Sequence, residues 1–212
     1  MNDSLMRMAM VESQLIPRGI RDERVLAAMN EVPRHLFVPP SIRAHAYEDR
    51  PLPIGEGQTI SQPYIVALMA ELAQLKPHER VLEIGSGSGY ATAVVAHLCE
   101  EVFSIERIEH LAQQAKNALE EAGVANVHLQ VGDGSLGWQE KAPYDVILVT
   151  AGAPVLPKAL KNQVSKGGRI IIPIGDAMGQ RLVRLQKQPT GELVEEIVEY
   201  VRFVPLIGKE GW

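Results

Sequence analysis

The sequence predicts an α/β fold: a doubly wound, mostly parallel sheet with an N-terminal helical extension and antiparallel strands near the C-terminus. Three observations predict it. Beyond residue 63, short β-rich segments alternate with helical ones, in the order that βαβ units require. The glycines of Gly85-Ser86-Gly87-Ser88-Gly89 fall between a strand-like and a helix-like segment, where open parallel sheets bind ligands. The run Val146-Ile147-Leu148-Val149 is apolar on both faces, as expected of a strand covered by helices on each side.

Taken in order, residues 4–16 and 21–32 carry apolar side chains at helical spacing, and each run ends near a proline or glycine. Met6 and Met10 stand one turn apart and read as core residues. Residues 33–63 are interrupted by Pro39, Pro40, Pro51, Pro53, Gly55 and Gly57 and read as loop-rich. A helix is expected over 64–75, then a strand over 80–84, the glycine loop and a small-residue helix over 90–98. Next come a strand over 101–105 and a helix over 111–122, closed by Gly123 as a C-cap. Strands follow over 127–131 and 145–149, then a short helix over 156–163. The turn Lys166-Gly167-Gly168 leads into a fifth strand over 169–174. Residues 180–186 and 192–204 alternate as late antiparallel strands around a turn at 189–191. The chain reads as one domain over 1–212, with residues 1–62 an extension and 63–212 the core.

Composition narrows the function classes. The 212 residues are 46% hydrophobic and 22% charged, ordinary globular values that leave no need for a stabilising metal or disulfide. A formal net charge of −5 argues against nucleic acid as partner, since phosphate binding needs clustered positive charge. The lone Cys99 excludes an internal disulfide and a cysteine-rich metal site, and reads as a buried small apolar residue on a helix. His35, His45, His78, His97, His110 and His128 lack zinc-ligand spacing, so no metal is expected. The first ten residues include Asp3 and Arg7 where a secretory signal needs an apolar run, and no segment approaches a membrane span. A cytoplasmic protein without a membrane partner is the expectation.

The glycine loop is diagnostic only with its surroundings. A dinucleotide fingerprint requires glycine where this chain has Tyr90. It also brings pyrophosphate to the loop, and Glu83, two residues before Gly85, would repel that anion. S-adenosylmethionine carries a sulfonium and an ammonium and no phosphate, so the same carboxylate favours it. The cofactor contacts are therefore expected at Glu83, Ile84, Gly85, Ser86, Gly87 and Gly89. Glu106, roughly twenty residues past the loop at a strand end, is expected to accept from ribose hydroxyls, with Arg107 beside it. Asp133 in Gly132-Asp133-Gly134 falls at the same sheet edge and is expected, with Gly134, near the adenine amino group, although an Asp between glycines is also a common turn former.

Several stretches together resemble one family, the protein-L-isoaspartate O-methyltransferases, a branch of the Rossmann-like methyltransferases. They are Val32-Pro33-Arg34, Phe37-Val38-Pro39, Gly57-Gln58-Thr59-Ile60-Ser61-Gln62-Pro63, the loop from Glu83 to Tyr90, Tyr144-Asp145-Val146-Ile147, Gly152-Ala153-Pro154, Gly167-Gly168-Arg169 and Val201-Arg202-Phe203-Val204-Pro205-Leu206. The resemblance implies a Rossmann-like methyltransferase fold and S-adenosylmethionine-dependent esterification of the free α-carboxylate of L-isoaspartyl residues in damaged proteins and peptides, of the bacterial type. It also implies that Ser61 is the active-site serine. Many relatives follow that serine with Ala-Pro-His, where this chain has Gln62-Pro63-Tyr64, so no role is carried over for that histidine.

The residues suit this chemistry. A carboxylate with a pKa near 4 is already ionised at neutral pH, so its attack on a sulfonium methyl needs orientation and desolvation and no general base. Ser61 is expected to orient the acceptor by donating its hydroxyl; its alternative is to cap a helix starting near Pro63. Thr150-Ala151-Gly152-Ala153-Pro154 offers no Asn or Asp to accept from an amine, which favours an oxygen acceptor. Once the ester forms, the neighbouring backbone amide can expel methanol and close a succinimide, which hydrolyses partly to normal aspartate. The alternative function is methyl transfer to a different small-molecule or protein acceptor.

Overall fold

The computed structural model describes residues 3–176 and 178–212; Met1 and Asn2, part of the expected extension, and Ala177 lie outside them. Helix α1 (Asp3–Met10) passes into a π-helical stretch at Val11–Leu15 and a 3-10 turn at Ile16–Arg18, where Pro17 and left-handed Gly19 end it. Helix α2 (Glu23–Glu31) is capped by Asp22, whose carboxylate accepts from the amides of Arg24 and Val25. The expected helices are thus present but shorter.

The stretch read as loop-rich is more ordered than its prolines suggest. It holds 3-10 helices at Arg34–Phe37 and Pro40–His45, then an antiparallel hairpin of β1 (Leu52–Gly55) and β2 (Gln58–Ile60). Strands this short offer too few alternations to be seen in sequence, and Pro53 is tolerated because β1 is an edge strand. Gly55, Glu56 and Gly57 turn the hairpin with φ of 94°, 52° and 69°. Helix α3 (Pro63–Ala73) starts with Pro63 in its first turn, where a missing amide costs nothing.

A seven-stranded sheet forms the centre: β3 (Arg80–Ile84), β4 (Glu101–Glu106), β5 (Val127–Val131), β6 (Tyr144–Val149), β7 (Val164–Asp176), β8 (Gly179–Lys187) and β9 (Leu193–Val201). Their order is β5-β4-β3-β6-β7-β8-β9; the first five run parallel, and β8 and β9 are added antiparallel. Helices α4 (Tyr90–Ala96), α5 (Glu109–Glu121) and α6 (Lys158–Gln163) fill the crossovers. At the end of α5, left-handed Gly123 follows the cap residue Ala122; the Val124 amide donates to Leu119 O and the Gly123 amide to Glu120 O, a Schellman closure.

Alternate residues of the strands feed two apolar layers. Val81, Val102, Val146 and Ile171 face a cluster shared with α2, α3, α4 and α5 and with Met10, Leu15 and Phe37 of the extension. Leu82, Phe103, Ile147 and Ile170 face the opposite layer, with Leu160 of α6. Strands β3 and β6 run parallel, but the order in which strands are added reverses between them, so the loops after these strands diverge and leave a crevice at their carboxyl ends.

Candidate active site

The crevice is an open cleft lined by the ends of β3 and β4 and the loops around them, the place where open parallel sheets bind ligands. The glycine loop lies at its base, residues 106–108 form one wall, residues 204–207 another, and residues 58–61 close it from the side of the hairpin. Ile84, Gly85, Ser86 and Gly87 all line it, as do Gly134 and the exposed Arg107. Gly85 is required where it stands: with φ of 95°, a β-carbon there would lie 2.7 Å from Thr150 Oγ1. That hydroxyl sits 2.9 Å from Ile84 O and 2.6 Å from Gly85 O, tying the end of β6 to the loop.

Glu106 lines the cleft as expected. Its Oε2 accepts from the Gly87 amide and its Oε1 from the Ile108 amide, both at 2.9 Å. A carboxylate has about four acceptor positions, so each oxygen retains one for a ribose hydroxyl.

Three expected contacts lie elsewhere. Glu83 is fully buried behind the loop and off the cleft wall; its Oε2 accepts from Thr92 Oγ1 and Ser104 Oγ, both at 2.5 Å, and its Oε1 has no partner among the described residues. Desolvation pushes its carboxyl up to about 7, against the pull of the Ser104 and Thr92 hydroxyls and with the help of the Glu106 charge. The simple picture of Glu83 as an anion facing a cationic ligand is therefore corrected. It reaches the loop through Ser104, whose Oγ lies 2.6 Å from Ser86 Oγ. Gly89 is also off the wall: it precedes α4 at φ of 86°, and a β-carbon there would meet Ala115 of α5 at 3.2 Å, so it serves close helix packing.

Asp133 caps the 3-10 turn Gly134–Leu136, the turn-forming alternative of the sequence reading. Its Oδ1 accepts from the Ser135 amide and hydroxyl, and its Oδ2 from the Lys209 amide. Desolvation raises its carboxyl, and the Lys209 amide with the Ser135 hydroxyl and amide more than offsets this, leaving it below the usual range. Its neighbour Gly134, not Asp133 itself, reaches the cleft.

Ser61 lies between β2 and α3, and the helix-capping alternative is not realised: Gln62 occupies the N-cap position with no side-chain cap bond. Ser61 instead lines both this cleft and a second, adjoining one. Thr59, Thr150 and Val204 share this seam with it, so the two clefts meet at neutral hydroxyls and an apolar side chain. Arg18 and Tyr64 stand further along the second cleft, the guanidinium 3.4 Å over the ring. Sequence reasoning missed Thr59, Thr150, Tyr64, Arg18 and Val204 as site residues; only the position of Thr150 directly after a strand signalled one.

A mostly parallel sheet with its crevice at the switch point, a glycine loop with Tyr90 where a dinucleotide fingerprint has glycine, and an acid closing β4 at the cleft fit an S-adenosylmethionine-dependent methyltransferase of the Rossmann-like class. Comparison with known proteins narrows this. The profile of the protein-L-isoaspartate(D-aspartate) O-methyltransferase family matches residues 6–211. A Geobacter metallireducens protein-L-isoaspartate O-methyltransferase is 52% identical over 212 residues, covering 100% of this chain and 98% of its own. One from Marinobacter nauticus is 58% identical over 207 residues, covering 97% and 94%. A solved protein-L-isoaspartate O-methyltransferase superposes with a TM-score of 0.85 at 32% identity, over 98% of this chain and 67% of that one. A Plasmodium falciparum structure described as the same enzyme, in complex with S-adenosyl-L-homocysteine, gives 0.83 at 27% identity over 95% and 98%. The chain belongs to the protein-L-isoaspartate O-methyltransferase family.

Proposed function

We infer that the protein esterifies the free α-carboxylate of L-isoaspartyl residues in damaged proteins and peptides with the methyl group of S-adenosylmethionine, and that Ser61 orients that carboxylate. The observation that carries the reading is the seam: Ser61, Thr59 and Thr150 stand where the cleft at the glycine loop meets a second one. When bound, S-adenosylmethionine supplies an electrophilic methyl on a sulfonium. The cleft fits it, since Glu106 keeps free acceptor positions for a ribose and Ile84, Gly85, Ser86, Gly87 and Gly134 bring backbone and small side chains to the wall. Arg107 covers the rim.

The acceptor needs no proton removed, because it is ionised at neutral pH. What the chain supplies is position. A neutral seam does not repel an incoming carboxylate, and the Ser61 hydroxyl donates to one oxygen while the other faces the methyl. Ser61 keeps the carboxylate oxygen in line with the methyl group that the cofactor, held by the glycine loop and Glu106, would supply, the methyl–sulfur electron pair staying on sulfur. The ester is then lost without further help from the enzyme, the adjacent amide nitrogen expelling methanol to form the succinimide. A net charge of −5 supports a polypeptide acceptor over nucleic acid, and a lone cysteine supports a reducing, cytoplasmic setting. No helix among the described residues is long and apolar enough to cross a membrane.

Two peptides that differ only in Asp or isoAsp linkage, incubated with labelled S-adenosylmethionine, test the assignment. Methyl ester on the isoAsp peptide alone is expected; equal labelling of both would refute it.

A further inference from the structure

Arg34 stands in Val32-Pro33-Arg34, and no step above uses it. Its side chain is wholly buried, yet among the described residues no carboxylate lies within ion-pair distance of it. Nε donates to Ala46 O and one terminal nitrogen to Ser61 O, each at 2.7 Å, while the other terminal nitrogen has no partner among the described residues. The guanidinium carbon lies 4.5 Å from the ring centroid of Tyr90, which opens α4 and lines the cofactor cleft. Burial lowers the guanidinium to about 10, partly countered by Tyr90, so it is charged at neutral pH.

A buried charge without a counter-ion is costly, and an apolar side chain would fill the same space at less expense. What an apolar group cannot do is span two carbonyls with a rigid planar fork while resting on an aromatic face. That fork touches the site in two places, the Ser61 carbonyl and the Tyr90 ring, and only Ser61 belongs to the seam between the clefts. In the next residue, Asp49 holds the Gln62 side chain: its backbone and side-chain oxygens accept from Gln62 Nε2 at 2.9 Å. The Ser61 carbonyl is thus tied to Arg34 and the following side chain to Asp49, while Ser61 itself lines the seam.

We propose that Arg34 is a positioning residue for methyl transfer, fixing the Ser61 carbonyl from behind so that the Ser61 hydroxyl is aimed at the acceptor. The proposal rests on the role inferred for Ser61 and is tested in a double-mutant cycle. Arg34→Lys keeps the charge but presents a single point, able to serve one carbonyl at a time; Arg34→Met removes both bonds. Turnover on the isoaspartyl peptide is expected to fall about tenfold to a hundredfold for either, the range for small misplacement of an orienting group. Calorimetric affinity for S-adenosyl-L-homocysteine is expected to change far less than turnover, because Arg34 meets the cofactor cleft only through the Tyr90 ring. In a Ser61→Ala background, Arg34→Lys is expected to cost no further turnover. Equal losses in both backgrounds, or a parallel loss of cofactor affinity, would make Arg34 a packing residue and overturn the proposal. If Ser61→Ala alone leaves turnover intact, the role of Ser61 fails first and the proposal falls with it. Should Arg34→Met be too unstable to assay, Arg34→Lys carries the cycle alone.

Discussion

Glu83 and Glu106 end neighbouring strands and face opposite fates. Glu106 takes backbone amides and stays beside the cleft, while Glu83 takes only hydroxyls and is sealed behind the loop. Because the folded protein holds the Glu83 carboxyl up at about 7 from a usual 4.5, the native state binds its proton more tightly than the unfolded chain does. Stability from this group is full below pH 4.5 and is lost as pH rises through 7, by an amount of order 3 kcal/mol. Glu83→Gln mimics the protonated form, so its melting temperature relative to the native chain should rise between pH 5 and pH 8; a constant difference in thermal melts would refute this. Ser61→Ala should lower kcat on an isoaspartyl peptide by roughly tenfold to a hundredfold, the worth of a hydrogen bond to a charged group, with cofactor affinity changed less than about twofold. Glu106→Ala should do the reverse, weakening cofactor binding by at least about tenfold in calorimetry because ribose acceptors and loop support go together.

At the level of elements, the C-terminal segment behaves as a strap. Val204, Pro205, Leu206 and Ile207 line the cofactor cleft, and the strap is fastened beyond them. Asp133 accepts from the Lys209 amide, Ser135 Oγ from the Glu210 amide, and Gly152 O from the Trp212 indole. Asp133→Ala should therefore loosen a wall that the residue does not itself form. We expect cofactor affinity to drop by about tenfold, the cost of one charge-assisted bond, and Ser135→Ala to act in the same direction. Affinity unchanged in both variants at temperatures well below melting would show the strap to be independent of the cleft. The closing stretch from Val201 to Leu206 stood out in the sequence as a motif, but its service as a wall was not readable, because its fastenings lie some seventy residues away at Asp133 and Ser135.

For the whole molecule, ligand binding and folding are linked. Cofactor at about one hundred times its dissociation constant should add about 2.7 kcal/mol of stability. For a chain of this size that raises Tm by about 5–10 °C, readable by calorimetry, whereas NAD at the same concentration should leave Tm unchanged. Strands β3, β4 and β6 were legible because strands buried in the middle of the sheet are mostly apolar, β5 because Val127, Leu129 and Val131 alternate with polar residues, and the glycine loop because its spacing is local. The β1–β2 hairpin, the π-helical stretch at Val11–Leu15 and the early start of β7 at Val164 were not, since each depends on partners brought in by packing.

By itself the sequence determined the α/β class, the succession of the central strands along the chain, the glycine loop that follows β3 and the acid that closes β4, all of which rest on periodicity and short-range spacing. Tertiary structure alone decided that Glu83 and Asp133 serve the loop and the strap, that Ser61 stands at the meeting of two clefts, and that Arg34 reaches it. Those outcomes depend on which surfaces pack together and which polar groups then find partners, and linear spacing carries no record of contacts made across a folded core.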